Sequence, residues 1–429
     1  MLQDDLPERD LTRFVLPELG RLHETGNPWA PYQLLDQESA VVEPVRVYFT
    51  ELQAADNPAT TIRSYGMDLL RWWRFLWALD IEWNRATRAD ARDFARWMRI
   101  ADKPQRLHWR YRKAGYTTET APKAKTGRKK TPGVPNAITG KASPGPKYSA
   151  RTRAHCETVL RTFYAFHLEE GTGPIINPFP LDRSRRSGRA NTHHKPDQPF
   201  RRERAGRYRP TIPQRSPRRI PDEMFNALFA ALRHNRDRAL LAFWVSNGAR
   251  AEELLTSRQH DALPGQQLLG VTRKGSREYQ QLPCSTDAFV WLRLYQEETR
   301  RAGVPVGKSL PMWWTLRRPW RPLKYDAARA MFNRANDLLG SNWSLHDLRH
   351  TASYRLARDP DMPLTDVQWV LGHAYLSTTQ LYLPASQDEV IERVRAHHAR
   401  RAQHRERTPA QPAPGYNPDS LKTLFGNSW

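Results

Sequence analysis

The stretch Leu345–Leu383, LHDLRHTASYRLARDPDMPLTDVQWVLGHAYLSTTQLYL, predicts both the fold and the chemistry of this chain. It opens with His346 and Arg349, which are three residues apart and therefore share one face of a helix. An arginine can hold two phosphate oxygens in a bidentate fork, and a histidine beside it can donate or relay protons. This pair indicates a site for an anion.

A second histidine and a tyrosine follow at the ends of further short helices. His373 stands just after Gly372, a residue suited to ending the helix that the preceding apolar run predicts. Tyr382 comes nine residues later, in a short helical turn that Ser377 can cap. Because a tyrosine hydroxyl can attack phosphorus, two histidines, one arginine and one tyrosine presented together suit phosphate chemistry.

A zinc site is the rival interpretation of the HDLRH motif. His346 and His350 have the i,i+4 spacing of a zinc-protease helix, but that motif requires glutamate in the second position, where this chain has Asp347. A dication would also be repelled by Arg349. We therefore expect no metal here.

The motifs HDLRH, LGH and TTQLY, in this order and spacing, resemble the closing half of the tyrosine recombinase (phage integrase) signature. That family shows His-x-x-Arg, then Leu-Gly-His, then a tyrosine nine residues further on. The resemblance implies a mainly α fold with a small β-sheet (α+β), in which a helical core-binding domain is followed by a tyrosine recombinase catalytic domain.

The resemblance also gives a role to two sites upstream. By themselves, Arg250 and Glu253 are an ordinary i,i+3 ion pair, and Lys274 is an exposed lysine in the hairpin predicted over residues 266–283. In the family the first catalytic arginine follows a glycine and precedes an acid and a leucine, as Arg250 does. The catalytic lysine of the family stands in a Lys-Gly turn, although its usual preceding glycine is Arg273 here.

The implied reaction is DNA strand transfer through a covalent 3′-phosphotyrosine, with no cofactor, because the covalent link keeps the energy of the broken bond. The expected catalytic residues are Tyr382, Arg250, Lys274, His346, Arg349 and His373, with Glu253 and His350 in support. The tyrosine attacks, the arginines stabilise the transition state, His346 and His373 handle the nucleophile's proton, and the lysine protonates the leaving oxygen.

Composition agrees with a partner made of phosphates. Lys and Arg number 68 against 45 Asp and Glu, a formal charge of +23, which indicates nucleic acid or an anionic membrane surface. A basic RNA-associated protein would share this composition. No apolar run approaches the roughly 18 residues of a membrane span, and the start MLQDDLPERD lacks a signal sequence, so we expect no membrane partner. Two distant cysteines, Cys156 and Cys284, favour a reducing compartment, and we expect a cytoplasmic, nucleoid-associated bacterial protein.

Periodicity and composition divide the chain into five parts. These are an amino-terminal segment at 1–40, a helical core-binding domain at 41–180, a linker at 181–216, a catalytic domain at 217–404, and a tether with a docking segment at 405–429. Tryptophans at helical spacing in the second part predict a core. Its insertion at 101–147 is basic and rich in Pro and Gly, and could either lie on DNA phosphates or simply be solvated. The linker is crowded with Arg and Pro and predicts a tether around a duplex.

The tail and the family resemblance predict an assembly. Leu421, Leu424 and Phe425 form an apolar face too small to be stable alone, so it must dock on something, and tails of the family often pack into a neighbouring protomer. We expect double-stranded DNA with specific recombination sites, a homo-tetramer on that DNA, and an accessory DNA-bending or directionality factor. Two alternatives remain open at this point: a type IB-like topoisomerase, and a catalytically inactive architectural protein.

Overall fold

The computed structural model describes residues 9–104, 133–187, 203–212, 218–380, 382, 391, 394–400 and 417–425. The chain divides into two compact units, Met1–Gln214 and Arg215–Trp429. In the described residues both units are mainly helical, and their sheets have two or three strands. The predicted fold class is confirmed.

In its described residues, the first unit contains two antiparallel strand pairs and four helices of 12 to 20 residues. Its elements are β1 (Arg21–Glu24), β2 (Tyr32–Leu35), α1 (Glu43–Ala54), α2 (Ala59–Ala78), α3 (Arg88–Ile100), α4 (Ala150–Glu169), β3 (Leu181–Ser187) and β4 (Glu203–Gly206). The predicted cap of α3 is confirmed: the Thr87 backbone N–H donates to the Asp90 carboxylate at 2.8 Å, and the two residues form a capping box.

Aromatic side chains of α2, α3 and α4 form the core of the first unit. Trp72, Trp73 and Trp97 are buried, which confirms the prediction that these tryptophans are core residues. The Trp72 indole N–H donates to the Tyr164 hydroxyl at 2.9 Å, so the polar edge of the ring is satisfied within the core.

Two segments of the first unit are more ordered than the sequence suggested. Residues 1–40 gave no motif, yet β1 and β2 pair antiparallel, and Leu34 of β2 is buried in the core. In the predicted linker, β3 pairs antiparallel with β4, and Arg209 donates to the Thr158 hydroxyl of α4 at 2.8 Å. Backbone pairing needs no aliphatic side chains, which is why composition did not indicate it. Residues 188–202 and 213–217 of this linker lie outside the described residues, as do residues 105–132 of the basic insertion.

The second unit surrounds its core with helices and one three-stranded sheet. Its elements are α5 (Asp222–Ala231), α6 (Asn235–Asn247), α7 (Ala251–Leu255), β5 (Ala262–Leu263), β6 (Leu268–Thr272), β7 (Tyr279–Pro283), α8 (Thr286–Ala302), α9 (Tyr325–Leu339), α10 (Leu345–Arg358), α11 (Leu364–Leu371), α12 (Leu376–Gln380) and α13 (Pro418–Phe425). The sheet is antiparallel in the order β5–β6–β7, and α6 packs against α8 and α10. Trp313 and Trp314 are buried.

Glycines end the helices that position the candidate site. Helix α6 ends at Gly248 with φ 64°, and α11 ends at Gly372 with φ 60°, both in the left-handed region that favours glycine. The end of α11 at Gly372 was predicted. The prediction for the tyrosine segment was wrong in one detail: α12 begins at Leu376, so Ser377 is its second residue rather than its cap, and Tyr382 lies in the turn that follows.

The carboxy-terminal part is described only in pieces. Residues 394–400 are helical. Helix α13 contains the residues of the predicted apolar face of the tail, and one of them, Leu424, is 73% exposed. Residues 401–416 of the predicted tether, and residues 426–429, lie outside the described residues. The docking of this tail stays a prediction. In the described part of the chain, no helix combines the length and apolar character needed to cross a membrane.

Candidate active site

Arg250 stands at the amino-terminal end of α7, two residues after the glycine that ends α6. Its guanidinium donates to Glu253 Oε1 at 2.7 Å, and its backbone N–H donates to Glu253 Oε2 at 2.9 Å. The Arg250 side chain is 31% exposed, but that of Glu253 is only 1% exposed. This i,i+3 pair is therefore anchored in the protein interior rather than being an ordinary surface ion pair.

Glu253 joins two parts of the site. Besides Arg250, its carboxylate accepts the Lys274 backbone N–H at 3.0 Å and an Arg273 N–H at 3.2 Å. Burial raises the pKa of this carboxyl, but the hydrogen bonds from the backbone of Lys274 and Arg250 outweigh it, and the pKa lies below its ordinary value. Glu253 is thus a carboxylate at neutral pH and fixes the β6–β7 turn to the start of α7.

Arg273 is a site residue that the sequence marked only as a departure from the family pattern. It is 4% exposed and lies inside the unit instead of pointing to solvent. Its guanidinium donates to Gln280 Oε1 at 2.6 Å and to the backbone carbonyls of Trp369 and Val370 in α11. The buried arginine therefore contacts the helix that leads to His373.

Lys274 follows in the turn between β6 and β7, where Gly275 takes φ 113°. Its side chain is 61% exposed, and Nζ lies 2.9 Å from Oε2 of Glu252, which is itself 63% exposed. A pair this open to water is weak, so the amine can leave Glu252 for another anion at little cost.

Arg349 is placed by the buried face of α10. It is 3% exposed, and its two terminal nitrogens donate to the carbonyls of Gly248 at 2.6 Å and Leu371 at 2.7 Å. Burial, with a further contribution from Arg250, lowers its pKa to about 10. At neutral pH Arg349 is still a cation, and it links the ends of α6 and α11.

One pocket brings four of the six predicted catalytic residues together. Its lining residues are Arg250, Ala251, Glu252, Lys274, Tyr325, Leu345, His346 and Arg349. Tyr325, the first residue of α9, is a lining residue that nothing in the sequence pattern had indicated. The pocket presents two arginines, a lysine and a histidine, and this composition suits a phosphate group.

His373 and Tyr382 lie beside this pocket and are not among its lining residues. His373 Nδ1 is 2.9 Å from the Thr379 hydroxyl. Burial, followed by the charges of Arg349 and Arg250, lowers the pKa of His373 to about 4. The imidazole is therefore neutral at physiological pH, chiefly because it is buried and secondarily because cations lie near it.

Tyr382 is 7% exposed and its hydroxyl lies 2.8 Å from His350 Nδ1. Its ring is parallel to that of His373, with centroids 6.3 Å apart, while the rings of His346 and His350 are 4.3 Å apart. Burial raises the pKa of Tyr382, so the hydroxyl is protonated at neutral pH. The sequence suggested that His346 and His373 would handle the tyrosine proton, whereas the structure places His350 on the hydroxyl.

The cationic pocket and the buried tyrosine beside it have the composition that a phosphoryl-transfer site with a tyrosine nucleophile requires, as in DNA strand transferases. Residues 218–389 match the Phage integrase family. The second unit thus contains a phage integrase domain, and its similarity to curated tyrosine recombinases indicates a tyrosine-type DNA strand transferase.

Several curated relatives are tyrosine recombinases. The chain is 29% identical over 269 residues to tyrosine recombinase XerD of Xanthomonas campestris pv. campestris, a match that covers 59% of this chain and 74% of the relative. It is 31% identical over 173 residues to tyrosine recombinase XerD of Pseudomonas putida, covering 38% of this chain and 55% of that relative.

A solved structure shares the fold. The XerH site-specific recombinase, in its post-cleavage complex with palindromic difH substrate, matches with a TM-score of 0.52 and 14% sequence identity. The match covers 82% of this chain and 84% of that one. At this identity the similarity shows the architecture alone.

Proposed function

We propose that this recombinase breaks and rejoins duplex DNA at specific sites, and that it serves the integration, excision or transposition of a mobile element. The observation that carries the proposal is the single pocket lined by Arg250, Lys274, His346 and Arg349 next to the Tyr382 hydroxyl. A scissile phosphate in this pocket would meet four cationic or hydrogen-bonding groups within reach of one nucleophile.

The reaction begins at the tyrosine. Tyr382 Oη attacks the phosphorus, the bond from phosphorus to the 5′ oxygen breaks, and the products are a 3′-phosphotyrosine and a 5′ hydroxyl. His350, at 2.8 Å from Oη, is the nearest group to receive the phenolic proton. Lys274 gives a proton to the departing 5′ oxygen, which would otherwise leave as an alkoxide. Attack by the 5′ hydroxyl of another strand reverses these steps and completes the exchange.

The remaining groups stabilise the transition state. Arg250 and Arg349 hold the non-bridging oxygens, and removal of one such preorganised donor typically costs about 2.7–4 kcal/mol of activation free energy. His346, which lines the same pocket, adds a further donor. His373 is neutral, and if the Thr379 hydroxyl donates to its Nδ1, its other ring nitrogen carries a hydrogen for the phosphate.

Duplex DNA is the proposed partner, in a homo-tetramer that joins two recombination sites. The formal charge of +23 supports a polyanionic partner. The similar XerH recombinase is bound to a palindromic substrate, and a palindrome offers equivalent half-sites to two copies of one protein. An accessory bending or directionality factor completes the proposal.

The test uses a suicide substrate, a nicked duplex that traps the covalent adduct as an SDS-resistant band. Tyr382→Phe should keep DNA affinity near that of the wild type and abolish the band, because only one oxygen is lost. Tyr375→Phe is the matched control: it removes a hydroxyl from the same segment, but Tyr375 is 74% exposed, and it should form adduct normally. An adduct with the Tyr382→Phe variant would exclude Tyr382 as the nucleophile.

A second assay separates recombination from topoisomerase activity. A supercoiled plasmid with two recombination sites should yield deletion or inversion products that require Tyr382. Relaxed topoisomers without exchanged products would instead support a topoisomerase.

A further inference from the structure

Arg273 makes a set of contacts that no other residue type could reproduce. Its backbone N–H donates to the Glu278 carbonyl at 2.8 Å, within the lysine-bearing turn, which we define as residues 273–278. Its side chain, 4% exposed, donates to Gln280 and to the Glu253 carboxylate. It also donates to two carbonyls of α11. A lysine has one ammonium group and cannot span these acceptors, whereas the planar arginine fork can.

The acceptors on α11 explain why a buried cation is stable here. Trp369 and Val370 belong to the last turn of the helix, where carbonyls lack the i+4 backbone donors of a helix interior; the Trp369 carbonyl also accepts from the Gly372 backbone N–H and from Gln280 Nε2, each at 3.1 Å. This end also carries the negative pole of the helix dipole, which favours a nearby cation. The Glu253 carboxylate supplies a negative charge that Arg273 shares with Arg250. Arg273 is thus compensated from both sides, by α7 and by α11.

The two elements that Arg273 joins carry different groups of the proposed site. Lys274 is the next residue in the chain, and His373 follows the end of α11 by two residues. An added Cβ on Gly372, between α11 and His373, would lie 3.0 Å from Arg273 Nε, so the guanidinium packs directly against the His373 loop. Lys274 and His373 belong to different elements, and Arg273 contacts both of these elements.

We propose that Arg273 is a positioning residue that holds the lysine-bearing turn against the end of α11, so that Lys274 meets the leaving oxygen while His373 meets the same phosphate. This inference rests on the proposed function of Lys274. Arg273 itself does not touch DNA. Supporting residues of this kind typically contribute about 10–100-fold to activity.

The experiment compares ordinary DNA with DNA that carries sulfur in place of the bridging 5′ oxygen. A thiolate leaves without protonation, since thiol pKa values lie near roughly 8.5. Arg273→Ala should slow cleavage of ordinary DNA by about 10–100-fold with little change in affinity. The sulfur substrate should recover the part of this loss that a misplaced Lys274 causes, and only the part caused by a misplaced His373 should remain.

Three variants sharpen the comparison. Arg277→Asn removes the same charge from the same turn, at φ 58°, a conformation that asparagine tolerates, and should cleave both substrates normally. Arg273→Lys keeps the positive charge but lacks the planar guanidinium group, so it should remain defective in cleavage. If the alanine variant does not fold, the lysine variant can be compared on the oxygen and sulfur substrates in its place. In the double variant with Lys274→Ala, Arg273→Ala should add little to the defect on ordinary DNA.

The results that would contradict the role of Arg273 can be told apart from those that would contradict the proposed function. Equal defects of Arg273→Ala on oxygen and sulfur DNA, or full activity of Arg273→Lys, would overturn the positioning role while leaving the proposed function intact. If sulfur fails to rescue Lys274→Ala itself, the acid role of Lys274 is wrong, and the inference about Arg273 falls with it. Loss of adduct formation in Tyr382→Phe is scored separately and tests the nucleophile alone.

Discussion

Replacing Glu253 by alanine tests how the site is held together. The substitution leaves Arg273, whose side chain is 4% exposed, without its carboxylate. Breaking a buried ion pair by removing one partner costs about 3–5 kcal/mol, because the remaining charge is buried without compensation. Arg250, at 31% exposure, can be partly hydrated and adds less. We therefore expect Glu253→Ala to lower the free energy of unfolding of the second unit by about 3–5 kcal/mol.

The neighbouring glutamate is the control. Glu252 pairs with Lys274, but the two side chains are 63% and 61% exposed. Such pairs contribute about 0–1 kcal/mol, so Glu252→Ala should be nearly neutral. The assay is equilibrium unfolding of the full chain in urea, followed by tryptophan fluorescence, with the transition of each unit fitted separately. Similar small shifts for both alanine variants would refute the central role of Glu253.

The pH dependence of this effect has a definite sign. The pKa of Glu253 in the folded protein lies below the ordinary value of 4.5. A depressed carboxyl pKa contributes stability that is fully present above the unfolded value and is lost as the pH falls through the folded value. The stability difference between wild type and Glu253→Gln should therefore be constant above about pH 5 and narrow at lower pH. A difference that widens on acidification would contradict this assignment.

Three further predictions concern other parts of the second unit. In an NMR titration of the free protein, the His373 ring should show a pKa of about 4. The contribution of the neutral ring to the free energy of unfolding is therefore complete above about pH 6.5 and is lost as the pH falls through about 4. A titration midpoint near pH 6.5 would contradict the burial of this ring among cations. Trp313→Ala should cost about 3–5 kcal/mol of unfolding free energy, whereas Trp369→Ala, at 57% exposure, should cost less than about 1 kcal/mol in the same urea assay. Gly248→Ala should destabilise the protein by more than about 1 kcal/mol, because φ is 64° and the new Cβ would lie 2.7 Å from a leucine methyl. Gly265→Ala is the control, because a Cβ added there would meet no atom within 4 Å. Equal melting temperatures of the two variants would refute the argument.

Local rules predicted the helices of this chain well. The start of α3 at Thr87 and the end of α11 at Gly372 follow from capping chemistry that is encoded within a few residues. The buried tryptophans followed from helical spacing. By contrast, the pairing of β3 with β4 joins polar segments that are separated in sequence, and residue composition carries no information about it.

The sequence indicated which residues form the candidate site, but not which contacts these residues make. The spacing of the motifs indicated His346, Arg349, His373 and Tyr382, and the family resemblance added Arg250 and Lys274. Four of these six residues line one pocket. The contact of His350 with Tyr382 could not be predicted, because it depends on how the turn after α12 folds back onto α10. The burial of Arg273 could not be predicted either, since an arginine in a tight turn normally faces solvent. Both contacts arise from packing between elements that lie about 30 or more residues apart.

The buried position of Tyr382 and the charges around it act in opposite directions on its hydroxyl. Burial raises the pKa of Tyr382, while a hydrogen bond with Ser353 and then the charge of Arg349 lower it, and burial is the largest effect. In the proposed reaction, transfer of the phenolic proton to His350, 2.8 Å from the hydroxyl, would offset this raised pKa during the attack. The charges of Arg349 and Arg250, which together with burial lower the pKa of His373, would also stabilise the developing charge on the phosphate.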